Sequence, residues 1–94
     1  MDIAKSAMVK SAAGRDKGKP FFVLDTEGDF LLLADGKTRK VENPKRKKRK
    51  HAAFAMDSDT RVAEKIRSGE KITNSEVRRT LAQLSGDGNP DQEG

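Results

Sequence analysis

The feature that most limits what this chain can fold into is a run of six consecutive cations, Lys45, Arg46, Lys47, Lys48, Arg49 and Lys50. Like charges this close repel one another, and no helix or strand neutralises six such neighbours on one face without a polyanion beside it. A solvated loop is the plain alternative, but folding alone gives no reason to retain the run. The charge balance follows it. Residues 1–56 carry 14 basic against 7 acidic side chains, a net of +7, whereas residues 57–94 carry 6 against 8, a net of −2. The excess that makes the 94-residue chain +5 at neutral pH therefore belongs to its N-terminal part.

With 33% of residues hydrophobic and 37% charged, the chain can bury only a small core, enough for one small domain with tails. A large enzyme with a deep pocket is excluded. Cysteine is absent, which removes disulfides, thiolate zinc sites and cysteine nucleophiles and suits a reducing compartment. No apolar run approaches the roughly 20 residues of a membrane span, and residues 1–10 lack the apolar block of a signal peptide. A soluble, cytoplasmic protein without a membrane partner is expected.

Apolar patterning predicts short strands over residues 7–12, 21–25, 30–34, 39–42 and 52–56, separated by turn signals. Thr26-Glu27-Gly28-Asp29 reads as a hairpin turn. Asp35-Gly36 reads as a second, with glycine supplying the positive φ of a primed turn, so that residues 30–34 pair with 39–42. Five closely spaced strands imply a small barrel, because two-stranded pieces of this size bury too little apolar area alone.

After Met56 the period changes. Val62 and Ile66 lie one helical turn apart and Gly69 supplies a stop, which predicts a helix over residues 60–68. A second helix is better specified: Thr73 and Glu76 form a capping box, Ile72 can staple to Val77, and Val77, Leu81 and Leu84 make an apolar stripe expected to pack on the first helix. Arg78, Arg79 and Gln83 are then turned to solvent. Residues 86–94 hold no apolar side chain and are expected to form a disordered tail. The division is thus a β unit over 1–56, a two-helix extension over 57–85 and a tail over 86–94.

Candidate catalytic and metal chemistry is poor. His51 is the single histidine and sits at the end of the cationic run, where positive neighbours disfavour the imidazolium, so it reads as a phosphate or ribose contact or as inert. Asp25, Glu27, Asp29 and Asp35 lie around turns, where such residues are expected for conformational reasons. No catalytic residue, metal site or cofactor is assigned. The loop Gly14-Arg15-Asp16-Lys17-Gly18-Lys19 fits neither the phosphate-loop nor the dinucleotide spacing, yet it offers Arg15, Lys17 and Lys19 on a backbone that two glycines let bend sharply. Tyr and Trp are absent. The aromatics are Phe21, Phe22, Phe30 and Phe54, of which Phe21 and Phe22 point to opposite sides of one strand, so one of that pair is left exposed or covered by the helices.

That loop, followed by Phe22-Val23-Leu24, resembles the KOW motif of ribosomal proteins and transcription elongation factors, with Gly18 at the motif's glycine. The continuation from Ala34-Asp35-Gly36-Lys37-Thr38-Arg39-Lys40 through Val41-Glu42-Asn43-Pro44-Lys45 into the basic run and His51 is similar to small bacterial KOW-domain RNA-binding proteins related to archaeal and eukaryotic large-subunit ribosomal proteins. The resemblance covers about half of the chain. It implies an SH3-like β-barrel whose first loop, residues 15–19, lies against RNA. One departure, Pro20-Phe21 where elongation-factor versions carry a second glycine, weighs against a transcription-factor assignment. The helices lie outside the motif.

The fold expected is therefore mainly β, a small SH3-like barrel followed by two short helices and a tail. The function expected is non-enzymatic RNA binding, ribosome-associated, through contacts of structured ribosomal RNA with Arg15, Lys17, Gly18, Lys19, Lys37, Arg39, Lys40, Lys45, Arg46, Lys47, Lys48, Arg49, Lys50 and His51. Partners are RNA and the ribosome or its proteins, and the free chain is expected to be a monomer. The alternative is a protein-interaction adaptor that uses the basic run on an acidic surface, or as a transport signal, with the helices making the specific contact.

Overall fold

A computed structural model describes residues 3–12, 14–15 and 17–85. In chain order the elements are β1 (Met8–Ser11), β2 (Pro20–Glu27), β3 (Phe30–Ala34), β4 (Lys45–Lys48), a 3-10 turn (Arg49–His51), β5 (Ala52–Met56), α1 (Arg61–Ser68) and α2 (Asn74–Ser85). The strands form one antiparallel sheet in the order β4-β3-β2-β1-β5, so β4 and β5 are its two edges. The expected tail over residues 86–94 lies outside the described residues.

Alternation along the strands divides the core in two. Phe21 and Val23 of β2 point to one side with Val9 of β1 and Leu31 and Leu33 of β3, and Ile3 and Ala52 pack there too. Phe22 points to the other side with Met8, where Val62 and Ile66 of α1 and Val77 and Leu81 of α2 cover it. Adjacent phenylalanines on one strand thus anchor opposite cores, each fully buried side chain contributing about 2 kcal/mol. The α2 stripe packs on the sheet through Met8 and Phe22 as well as on α1.

The β2–β3 hairpin forms as the sequence indicates, with Gly28 and Asp29 between the paired residues Glu27 and Phe30. The second hairpin does not. Residues 30–34 pair with Lys45–Lys48, not with residues 39–42, and residues 35–44 form a loop. Its cause is local hydrogen bonding. The Asp35 carboxylate accepts the Lys37 and Arg39 N–H groups at 2.9 and 2.8 Å and the Thr38 hydroxyl at 2.8 Å, which curls the chain back before a strand can start. Val41, whose N–H a strand would commit to a ladder, instead donates it to the Asn74 side chain at 2.8 Å.

The helices follow their caps. Thr60 Oγ1 accepts the Ala63 N–H at 3.3 Å, and α1 ends at Gly69. The capping box at α2 is complete: Thr73 Oγ1 accepts the Glu76 N–H at 3.2 Å and Glu76 Oε2 accepts the Thr73 N–H at 2.9 Å. Lys65 and Glu76 pair at 2.8 Å and join the two helices. Gly36 (φ 76°) lies so close to the first turn of α2 that a Cβ there would overlap the Asn74 carbonyl oxygen. Arg78 then donates to the Gly36 carbonyl at 2.8 Å, so α2 holds the 35–44 loop by its backbone. No helix among the described residues is long and apolar enough to cross a membrane.

Candidate nucleic-acid interface

The cationic run does not occupy one face of anything. In β4 the side chains alternate, and registers of Lys45 with Leu33 and Lys47 with Leu31 place those two lysines on the Phe21 side of the sheet, half-buried. An edge strand tolerates this because lysine stems lie along apolar surface while their ammonium groups reach water. Arg46 and Lys48 go to the other face. There the Arg46 guanidinium lies 3.9 Å from the centroid of the Phe30 ring and 3.3 Å from Glu27 Oε1, and Lys48 Nζ is 6.0 Å from the same ring.

Arg49 leaves the strand. Its N–H donates to the Asp29 carbonyl at 2.8 Å, its Nε to the Gly28 carbonyl at 2.7 Å and its guanidinium to the Ile3 carbonyl at 2.8 Å, so it clips the β2–β3 turn to the N-terminal segment. Lys50 and His51 are exposed, and the His51 carbonyl accepts the Ala12 N–H at 2.8 Å.

Three segments that are distant in sequence then meet. Gly14, Arg15 and Lys19 of the β1–β2 loop, Thr38 and Arg39 of the 35–44 loop, and Lys45 and Lys47 of β4 line one concavity of 380 Å³. Among the described residues that line it, five are cations and none is a carboxylate. Each segment has its own support. Gly18 (φ 87°) lets the first loop return, its N–H donating to the Ser11 carbonyl at 2.7 Å while the Ser11 N–H meets the Lys19 carbonyl at 3.0 Å. The second loop is fixed by the Asp35 carboxylate: burial pushes that carboxyl up, but the Arg39, Lys37 and Thr38 hydrogen bonds outweigh it and hold the group below the usual range. A carboxylate already saturated by the backbone competes little for the cations around it.

Of the residues chosen from sequence, Arg15, Lys19, Arg39, Lys45 and Lys47 come together. Lys17, Lys37 and Lys40 are exposed on the same two loops outside the lining, while Lys48, Arg49 and Lys50 border a separate hollow beside Asp29. Sequence reasoning missed Thr38, whose signal was its place three residues after Asp35 in a side-chain-capped turn. Phe22 is buried under the helices, Phe30 is stacked by Arg46, and Phe54 is 38% exposed. Among the described residues no three His, Asp or Glu side chains gather as a metal site requires. No protein-family model matches the chain, and no characterised protein does either.

Proposed function

We propose that this protein is a non-enzymatic RNA-binding protein of the KOW type, an SH3-like barrel associated with the ribosome, that grips the phosphate backbone of structured RNA. The observation that carries the reading is the concavity in which Arg15, Lys19, Arg39, Lys45 and Lys47 come together from three segments of the chain. Cations gathered from three segments into one hollow attract an anion of matching size and spacing, and a nucleic-acid backbone supplies repeated phosphates. Support for the barrel comes from the glycine-bearing loop between β1 and β2 and from the core that residues near both ends of the sheet, Leu33 and Ala52, share.

Shape is what such a surface reads. Structured RNA displays phosphates and 2′-hydroxyls across a shallow minor groove, and cations with few exposed aromatic rings suit that better than stacking on splayed bases. Five neutralised phosphates give a slope of log K against log salt of about −3.5 to −4.5.

Crosslinking in cells, with sequencing of the attached RNA and mapping of the adducts, tests the proposal. Reads concentrated in large-subunit ribosomal RNA with adducts at Arg15, Lys19, Arg39, Lys45 or Lys47 are expected. Scattered reads would reject the ribosomal assignment, and a near-flat salt response of the purified protein on a structured RNA would reject phosphate contact altogether. Nuclease treatment of a lysate separates the adaptor reading, since it releases an RNA-bound protein from large complexes and leaves an adaptor in place.

A further inference from the structure

Strand β5 is an edge of a different kind from β4. It reads Ala52-Ala53-Phe54-Ala55-Met56, and after Ala52 every residue in it is exposed. Phe54 at 38% and Met56 at 37% are the large hydrophobic side chains that the described part of the chain leaves in water. The edge carries no charge and no proline, and no element among the described residues covers it; the one irregularity is a β-bulge in its pairing with β1, between Phe54 and Met56. Its backbone is also available. The His51 carbonyl takes the Ala12 N–H, so His51 and, two residues on, Ala53 turn their backbone groups towards β1. Alternation turns the N–H and C=O of Phe54 outward, where the sheet has no further strand.

The strand is bracketed by opposite charges. Arg49 and Lys50 stand before it, and exposed Asp57 and Asp59 follow it. We infer that β5 pairs antiparallel with β5 of a second copy of this chain, about a two-fold axis at Phe54, joining two five-stranded sheets into one. The polarity decides the occupant. In an antiparallel pair the basic end of each strand lies beside the acidic end of the other, whereas a parallel pair would set like charges together. The immediate neighbours of Phe54 match in size, Ala53 with Ala55, so at the axis the same surface meets itself and the two phenylalanines cover each other, with the bulge before Met56 lying beyond the axis. A five-residue strand buries less than the roughly 1,600 Å² of a standard stable interface, so the dimer is weak and concentration-dependent. It stands in place of the monomer expected from sequence, and it does not rest on RNA binding.

Sedimentation of the nuclease-treated, RNA-free full chain over a wide concentration range tests this inference. Wild-type protein should move from monomer to dimer as concentration rises, and Phe54→Lys, which sets two ammonium groups at the axis, should stay monomeric with an unchanged Tm. A second experiment reads the polarity. Asp57→Lys with Asp59→Lys makes both ends of β5 basic, and Lys50→Glu with His51→Glu makes both ends acidic, so each variant should be monomeric alone and the two should associate when mixed. Wild-type protein that stays monomeric throughout, a dimer that survives Phe54→Lys, or a mixture that forms no heteromer would each overturn the proposal.

Discussion

Strands β4 and β5 are the two edges of the same sheet, yet β4 is built only of lysine and arginine and β5 only of alanine, phenylalanine and methionine. Charge along an edge repels a second copy of that edge and attracts a polyanion, while an apolar edge leaves its backbone donors open to any strand that approaches. The difference lies mainly in side chains, since both strands pair antiparallel with their inner neighbour, β4 in unbroken register and β5 with a bulge between Phe54 and Met56. What surrounds each edge follows the same division. Two loops bring Arg15, Lys19 and Arg39 to β4, whereas β5 runs into Asp57 and Asp59.

The comparison breaks most severely at Gly36. Changing Gly36→Ala forces a Cβ into the Asn74 carbonyl at a positive φ and should cost about 3 kcal/mol, seen as a fall in denaturant midpoint. The 35–44 loop would leave α2 and carry Arg39 away from β4, so RNA affinity should fall while association through β5 persists in the folded fraction. Gly18→Val is the milder control. A side chain there meets nothing within 4 Å, so only the strain of φ 87° remains, about 1–2 kcal/mol.

Next in size is the loss of the cations themselves. Replacing Arg39, Lys45 and Lys47 with alanine should flatten the salt slope of RNA binding by about 2–3 and weaken binding on the order of tenfold or more near physiological salt. Filter binding across a salt series measures both quantities. Phe54→Lys, at the opposite edge, should leave that affinity within about twofold, because no residue of β5 is among the described residues that line the concavity. Equal losses from both sets of changes would mean that the two edges do not divide the work.

Much of this arrangement was legible in the chain. The capping box at Thr73 and Glu76, the Val62 and Ile66 spacing and the Gly28 turn were read from local chemistry and formed as read, because each is decided within a few residues. Strand β4 was not legible. Four adjacent cations have no alternation to detect, and lysine and arginine follow an edge only once a neighbouring strand is placed beside them. The 39–42 segment misled for the converse reason: Val41 after an Asp-Gly pair has the look of a strand, but Asn74, 33 residues away, takes its N–H. The concavity was half legible. Its residue types were visible, but which of fourteen candidates would meet depended on the loop that Asp35 curls and α2 holds. Arg49 shows the limit of counting charge, since its guanidinium is committed to two carbonyls of the fold.

A smaller effect sharpens the contrast of the edges. Arg46→Thr with Lys48→Thr removes half of the charge from β4 and leaves its outward face β-prone and neutral, so the variant should self-associate more readily than wild type by sedimentation. The cost to the monomer is modest. The exposed pair with Glu27 and the contact with the Phe30 ring are together worth about 1 kcal/mol. If the variant remains as monomeric as Phe54→Lys, then charge is not what keeps the β4 edge single.

The smallest effect is acid. Glu42 is held below its usual range first by the Asn74 side chain, Glu76 first by Lys65 and then by the Thr73 N–H, and Asp35 by the backbone groups it collects against the opposing push of burial. Each carboxyl is therefore a stronger acid in the folded chain than in the unfolded one. The stability they contribute is complete above their ordinary values of 3.8 for Asp and 4.5 for Glu and is lost as pH falls through the depressed folded values. All three fasten the 35–44 loop or the start of α2, so a thermal melt should be flat from neutrality down to 4.5 as far as these groups decide it and decline below. Asp35→Asn keeps an oxygen for the Lys37 and Arg39 N–H groups but has no charge to lose, so its Tm should start slightly lower and decline less steeply in acid. An unchanged acid slope in that variant would show that the loop beside β4 is held by α2 alone, through Asn74 and Arg78.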